Sequence, residues 1–160
     1  MKKLVTGIFL LFFLANGAQN CSYLQDTLYI PKQGKIVNTE YLQTTLKNNT
    51  IVKLYKTENS KYFLKLIVTE NLYFDKVDVL EIKSGSKSYY EKDAKHFQYD
   101  KHTGFYVLEI YKNYIGTLKE DGITSIVFGK SETNFTKQDC NQIKQISKCF
   151  YENIVAKNKK

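Results

Sequence analysis

Arginine and tryptophan are absent from the 160 residues, and proline occurs once, as Pro31. All 24 basic residues are therefore lysines. Bidentate reading of guanine, phosphate or carboxylate is mainly the work of a guanidinium, so nucleic acid is not an expected partner. A single proline, with no Pro/Gly/Ser-rich stretch and no internal repeat at solenoid periods, leaves no linker and no array. The phosphate-loop, Gly-x-Ser-x-Gly, His-Glu-x-x-His and EF-hand patterns are all missing. Their absence lowers the expectation of an enzyme, and no cofactor is implied. After Leu14, lysines break every apolar run. None approaches the roughly 20 residues of a membrane-crossing helix.

The one apolar run of note is at the start. Met1-Lys2-Lys3 precedes Leu4 to Leu14, and Ala15-Asn16-Gly17-Ala18 follows. A positive start, a short apolar stretch and a small-residue exit are the parts of a secretory signal. The expected division is a signal peptide over 1–18, cleaved after Ala18, and a single domain over 19–160. An alternative hangs on Cys21, which could be the acylation site of a membrane-anchored lipoprotein. Against it, Ala18-Gln19-Asn20 separates the cysteine from the apolar run. The mature product is thus expected to be secreted or periplasmic, with no transmembrane segment.

The whole chain carries a net +8, and loss of Lys2 and Lys3 leaves 22 lysines against 16 acids, or +6. These lysines are scattered along predicted strands and loops, which first describes a solvated surface. The sharper reading is a site for an anionic polysaccharide, since ammonium groups attract anionic surfaces as point charges. Usage rich in Lys, Asn, Ile and Tyr fits an AT-biased genome. Asn48-Asn49-Thr50 and Asn134-Phe135-Thr136 match the glycosylation triplet, which has meaning only in a eukaryotic secretory pathway.

The middle of the chain reads as β. Tyr62, Leu64, Leu66 and Val68 alternate with Lys61, Phe63, Lys65, Ile67 and Thr69, giving one fully apolar face, and Glu58-Asn59-Ser60 turns the chain back onto Ile51–Thr57 as a hairpin. Residues 77–83 form another strand, with a phase switch between Val79 and Leu80 that calls for a bulge or burial on both faces. Ser84-Gly85-Ser86 leads into 87–91. Residues 97–100 and 105–111 make a further hairpin, with Tyr106, Leu108 and Ile110 on one side. A short helix over 113–122 ending at Gly122 and a strand over 123–128 follow.

The period then changes. Thr136-Lys137-Gln138-Asp139 has the form of a capping box with Asp in place of Glu, and Phe135 sits at the staple position. Ile143, Ile146, Phe150 and Ile154 recur at three- and four-residue steps, giving an amphipathic helix over about 136–157. The fold class is mainly β or α+β: an antiparallel, sandwich-like sheet with a short helical turn and one C-terminal helix.

Three cysteines, Cys21, Cys140 and Cys149, are the disulfide candidates of an exported chain. On one continuous helix Cys140 and Cys149 would lie about 13 Å apart, beyond the roughly 7 Å a disulfide spans. Either Cys21 pairs with one of them and ties the N-terminus to the last helix, or the helix breaks between them. Cys140 lies nearer the apolar stripe, and Cys149 off its edge. A thiol nucleophile would need a depressed pKa and a base, and the only histidines are His96 and His102. His96, Asp100 and His102 have the even spacing of one strand face and are the metal candidates, as two histidines and a carboxylate can hold zinc. Asp75, Asp78, Glu81, Glu120 and Asp121 are the other clustered acids, but the separation across a cleft that acid–base pairs need is not in the sequence.

Phe105–Tyr111, Tyr114–Leu118, Ile123–Phe128 and Lys148-Cys149-Phe150 form a sequence of strand, helical turn, strand and cysteine-bearing closing helix. In this the chain resembles small exported β-rich proteins with a C-terminal helix from AT-rich Gram-negative bacteria. The resemblance covers about half the chain, implies only the architecture, and carries no functional residue. The leading expectation is a non-enzymatic binding or structural domain with a β surface rich in Tyr and Lys, meeting an anionic polysaccharide, a peptide or an envelope protein. A metal-binding protein or hydrolase on the His96–His102 hairpin is the second. The third is a secreted inhibitor of another enzyme.

Overall fold

The computed structural model describes residues 21–69, 79–92, 96–98, 103–129 and 131–157. The expected signal peptide lies outside them. The described strands, in chain order, are β1 (Leu24–Ile30), β2 (Lys35–Thr45), β3 (Ile51–Thr57), β4 (Tyr62–Thr69), β5 (Val79–Ser84), β6 (Lys87–Lys92), β7 (His96–Gln98) and β8 (Thr103–Ile110). Helix α1 (Lys112–Asp121), β9 (Ser125–Phe128), β10 (Ser131–Asn134) and helix α2 (Lys137–Lys157) follow. Strands β1-β2-β3-β4-β8-β7 form one sheet and β10-β9-β5-β6 a second. Every pairing is antiparallel. The larger sheet curls as a half-barrel. The mainly β, α+β class is thus the observed one, with α1 a full helix capped at Gly122.

The β3–β4 hairpin forms as the alternation predicts. Leu64 pairs with Leu54 and Leu66 with Val52, and all four are buried. On the neighbouring strand Tyr106, Leu108 and Ile110 share that face and are buried as well. The phase switch after Val79 needs no bulge. Val79 is exposed at the start of β5, and burial alternates cleanly through Leu80, Ile82 and Ser84. Residues 77 and 78, where that segment was expected to begin, lie outside the described residues.

Both sheets and both helices share one core. Leu54 and Leu66 of the large sheet, Ile82 and Ile126 of the small one, Leu118 of α1 and Ile143, Phe150 and Ile154 of α2 belong to a single buried cluster. Each such side chain contributes about 2 kcal/mol when removed from water. A second, smaller cluster joins Leu28, Ile30, Tyr41, Tyr55 and Phe63. Alternation in β2, β3 and β4 puts it on the opposite face of the large sheet. Burial of both faces explains why Phe63 is hidden although it alternates out of the main core.

The predicted capping box is present and does more than cap. The Asp139 N–H donates to Thr136 Oγ1 (3.2 Å), while Asp139 Oδ2 accepts from the Thr136 N–H (3.0 Å) and hydroxyl (2.6 Å). Its other oxygen accepts the Lys47 N–H at 2.9 Å, from the turn between β2 and β3. Burial alone would push this carboxyl up; the hydrogen bonds from Thr136 and Lys47 outweigh it and hold it below its ordinary value of 3.8. A carboxyl held low in the folded state stabilises fully above pH 3.8, and that stability is lost as pH falls through the folded-state value. Asp139→Ala is expected to cost about 2–3 kcal/mol, because it removes a cap and leaves buried donors unpaired. Urea denaturation at neutral pH should show it as a lowered midpoint, with the gap to wild type closing in strong acid. An unchanged midpoint would show that the turn and the helix are not tied.

Candidate functional site

The second face of the large sheet carries an arrangement that fold stability alone does not explain. Ladder register sets three rows across it. Tyr41, Tyr55 and Phe63 form one; Gln43, Lys53, Lys65 and Val107 the next; Thr45, Ile51, Ile67 and Phe105 the third. Two lysines thus face each other directly across β3 and β4, between an aromatic row and an apolar row. Like charges placed directly opposite each other destabilise a sheet.

The lysines lean outward. Lys53 Nζ lies over the Tyr41 ring at 4.5 Å and Lys65 Nζ over the Phe105 ring at 4.4 Å, on the two flanking strands. Cation–π contact offsets part of the repulsion. Both ammonium groups are pulled below the ordinary lysine value of 10.5, first by burial. The opposed Lys53 lowers Lys65 further, and the Asp26 carboxylate pushes both back up. By contrast, Lys61 pairs with Glu109 at 3.1 Å and Lys83 with Glu132 at 2.9 Å. Among the described residues neither Lys53 nor Lys65 has a carboxylate within ion-pair distance. A half-buried cation pair on an apolar floor, unpaired among the described residues, has the charge to attract an anion. The bland alternative is a pair of snorkelling side chains, which would need no opposed register.

A separate cleft of about 670 Å³ opens where β1, β2 and β3 run side by side, lined by residues 25–27, 38–40 and 56–58. The buried hydroxyls of its threonines are engaged: Thr39 donates to the Asp26 carbonyl at 2.9 Å and Thr57 to that of Lys61 at 3.4 Å.

The cysteines resolve as geometry requires. Helix α2 is continuous, and Cys21 is joined to Cys149 with Cα atoms 5.8 Å apart. Cys149 is buried in the core, not off its edge, because Cys21 and Tyr23 pack over that side of α2. Cys140 is the free thiol. It donates to the Ile123 carbonyl at 3.1 Å. Burial, with the neighbouring Asp139 charge, pushes its pKa up, the opposite of what a nucleophile needs.

Of the metal candidates, His96 opens β7 next to Tyr106 of β8 in the ladder. Asp100 and His102 lie outside the described residues, as do Asp75 and Asp78. Among the described residues no group of three His, Cys, Asp or Glu side chains is placed to hold a metal. Glu81 accepts the Ser88 hydroxyl at 2.6 Å and Glu120 pairs with Lys119 at 2.8 Å, both at the surface. Among the described residues no helix is long and apolar enough to cross a membrane.

The Lys53–Lys65 pair was not singled out by sequence reasoning. Its signal was present in Ile51–Thr57 and Tyr62–Thr69, where one lysine sits centrally in each arm of a predicted hairpin. Counting register outward from the turn would have set them opposite each other. No protein-family model, curated protein or solved structure matches the chain.

Proposed function

We propose that the protein is an exported, non-enzymatic binding domain that takes an acidic polysaccharide on the Lys53–Lys65 face of its larger sheet. The observation that carries this reading is the opposed lysine pair, half-buried between two apolar rows and lacking a carboxylate partner among the described residues. Such a pair costs stability in the free protein and repays it only when an anion enters. The partly exposed Ile51, Ile67 and Phe105 beside it offer apolar surface to the carbon face of a sugar ring. The disulfide supports export, since such bonds persist in oxidising compartments. It also uses the sulfur of Cys21 that a lipid anchor would require, favouring a secreted or periplasmic product over a lipoprotein.

Polygalacturonate should bind at low salt and weaken as ionic strength rises, while dextran should not bind. Lys53→Gln with Lys65→Gln should weaken polygalacturonate binding by about tenfold or more, the size expected for losing charge-assisted contacts. The same double variant should keep or raise the melting temperature, because it removes a like-charge pair. Full binding by the variant, or no binding of polygalacturonate, heparin or alginate by the wild type, would overturn the reading.

A further inference from the structure

The cleft on β1, β2 and β3 has a chemistry distinct from that of the lysine face. Gln25, Glu40 and Lys56 lie side by side in one ladder row, and Thr27 and Asn38 in the next. This brings amide, carboxylate, ammonium and hydroxyl groups together on adjacent strands. The side chains of Gln25, Asn38, Glu40 and Glu58 are exposed and Lys56 is half-buried. None of these five makes a side-chain hydrogen bond or ion pair among the described residues. Glu40 and Lys56 are ladder neighbours of opposite charge, yet they too are unpaired. Their hydrogen-bonding capacity faces the cleft unspent.

We infer that this cleft binds a neutral oligosaccharide, at a site separate from the lysine face. First, the lining mixes acceptors and donors at neighbouring positions, which suits hydroxyl groups that both donate and accept. Second, the charge works against an acidic ligand: Glu40 and Glu58 outnumber Lys56. Lys56, set beside Glu40 in the ladder, also works against a simple cation trap. Third, the spacing of adjacent strands, about 4.8 Å, is close to the span of one pyranose unit. A saccharide lying across the strands meets a new polar side chain with each ring. The cleft's volume of about 670 Å³ is within the range of ligand sites and admits a short oligosaccharide.

The frame is rigid where the site needs it. Both ladders bordering the cleft are continuous through these rows. Tyr23 at one end is held by burial against α2, which pushes its phenol up to about 12; Asn153 opposes that shift and Glu40 adds to it. Exposed Ile36 borders the other end on the same face, opposite Tyr29, and gives apolar surface to a sugar's carbon face.

The test is an NMR titration of the isotope-labelled, disulfide-intact protein with maltohexaose, cellohexaose, xylohexaose and mannohexaose in turn. At least one should shift backbone amides of residues 25–27, 38–40 and 56–58. Asn38→Ala with Glu40→Ala should weaken that sugar by about tenfold or more, as expected for a site built to hydrogen-bond hydroxyls. Both substituted side chains are exposed, so the melting temperature should hold. Lys53→Gln with Lys65→Gln should leave this binding unchanged, so the two sites succeed or fail separately. The inference is overturned if no hexasaccharide shifts these amides at about 10 mM, a weak-affinity ceiling. It is equally overturned if the shifts map elsewhere, or if hexalysine moves the same amides and the sugars do not.

Discussion

Gly122→Ala is expected to destabilise the domain by about 4 kcal/mol, combining a backbone conformation open only to glycine with a forced separation of packed elements. Gly122 closes α1 with φ 70° and ψ −159°, its N–H donating to the Leu118 carbonyl. A Cβ built there would lie 2.5 Å from the Cys140 carbonyl oxygen. That oxygen belongs to the backbone of α2 and cannot swing away. Gly122 is held from the other side too, its carbonyl accepting the buried Ser84 hydroxyl. The substitution therefore pries α1, the end of β5 and the first turn of α2 apart together. Gly116→Ala is the internal control. At that helical position the nearest atom to a new Cβ is in the Tyr151 ring at 3.5 Å, an ordinary contact. It should be neutral or gain up to about 1 kcal/mol from helix propensity. Chemical denaturation of the two variants side by side decides the matter, and equal midpoints would mean that the α1–α2 junction tolerates separation.

Breaking the Cys21–Cys149 bond should cost about 4 kcal/mol, since the chain it closes is long. The two cysteines are 128 positions apart, so the link restricts nearly the whole unfolded domain. Its folded-state role is local. Tyr23 packs near Phe150, with ring centroids 6.2 Å apart, and Tyr62 meets the same ring edge-on at 6.1 Å. Without the bond, Tyr23 still ties the start of β1 to α2, through its ring against Phe150 and its hydroxyl, which donates to the Cys149 carbonyl at 3.5 Å. The urea midpoint should fall on reduction and fall equally in Cys21→Ser with Cys149→Ser, whereas Cys140→Ser should keep the full shift on reduction. A midpoint indifferent to reductant would sink this prediction. So would a non-reduced peptide map in which Cys21 carries a lipid or is joined to Cys140.

Where the sequence was informative, the cause was a local pattern strong enough to stand by itself. The β3–β4 hairpin follows from alternation flanking a polar turn. The start of α2 follows from Thr136 and Asp139 at capping-box spacing. What it missed were strands whose sequences carry no such pattern. In β1, Leu24 to Thr27 are exposed and mostly polar; in β10, Ser131 to Asn134 contain no apolar residue at all. Both are edge strands, stabilised by a neighbour's backbone groups, and edge strands need no apolar face of their own. Strand β2 is long, and its pattern breaks where Tyr41 and Leu42 serve opposite faces.

The candidate sites divide along the same line. Continuity of the last helix follows from residues a few positions apart, and rise per residue then forbids a Cys140–Cys149 bond. That much the sequence determined by itself, together with the β-rich class and the cap at Asp139. Which cysteine Cys21 reaches, the opposition of Lys53 to Lys65, and the meeting of Gln25, Glu40 and Lys56 around one cleft were decided by tertiary structure. Each depends on strand register and sheet order between distant segments. A one-residue slip in strand register would turn Lys53 and Lys65, or Gln25, Glu40 and Lys56, to the other face.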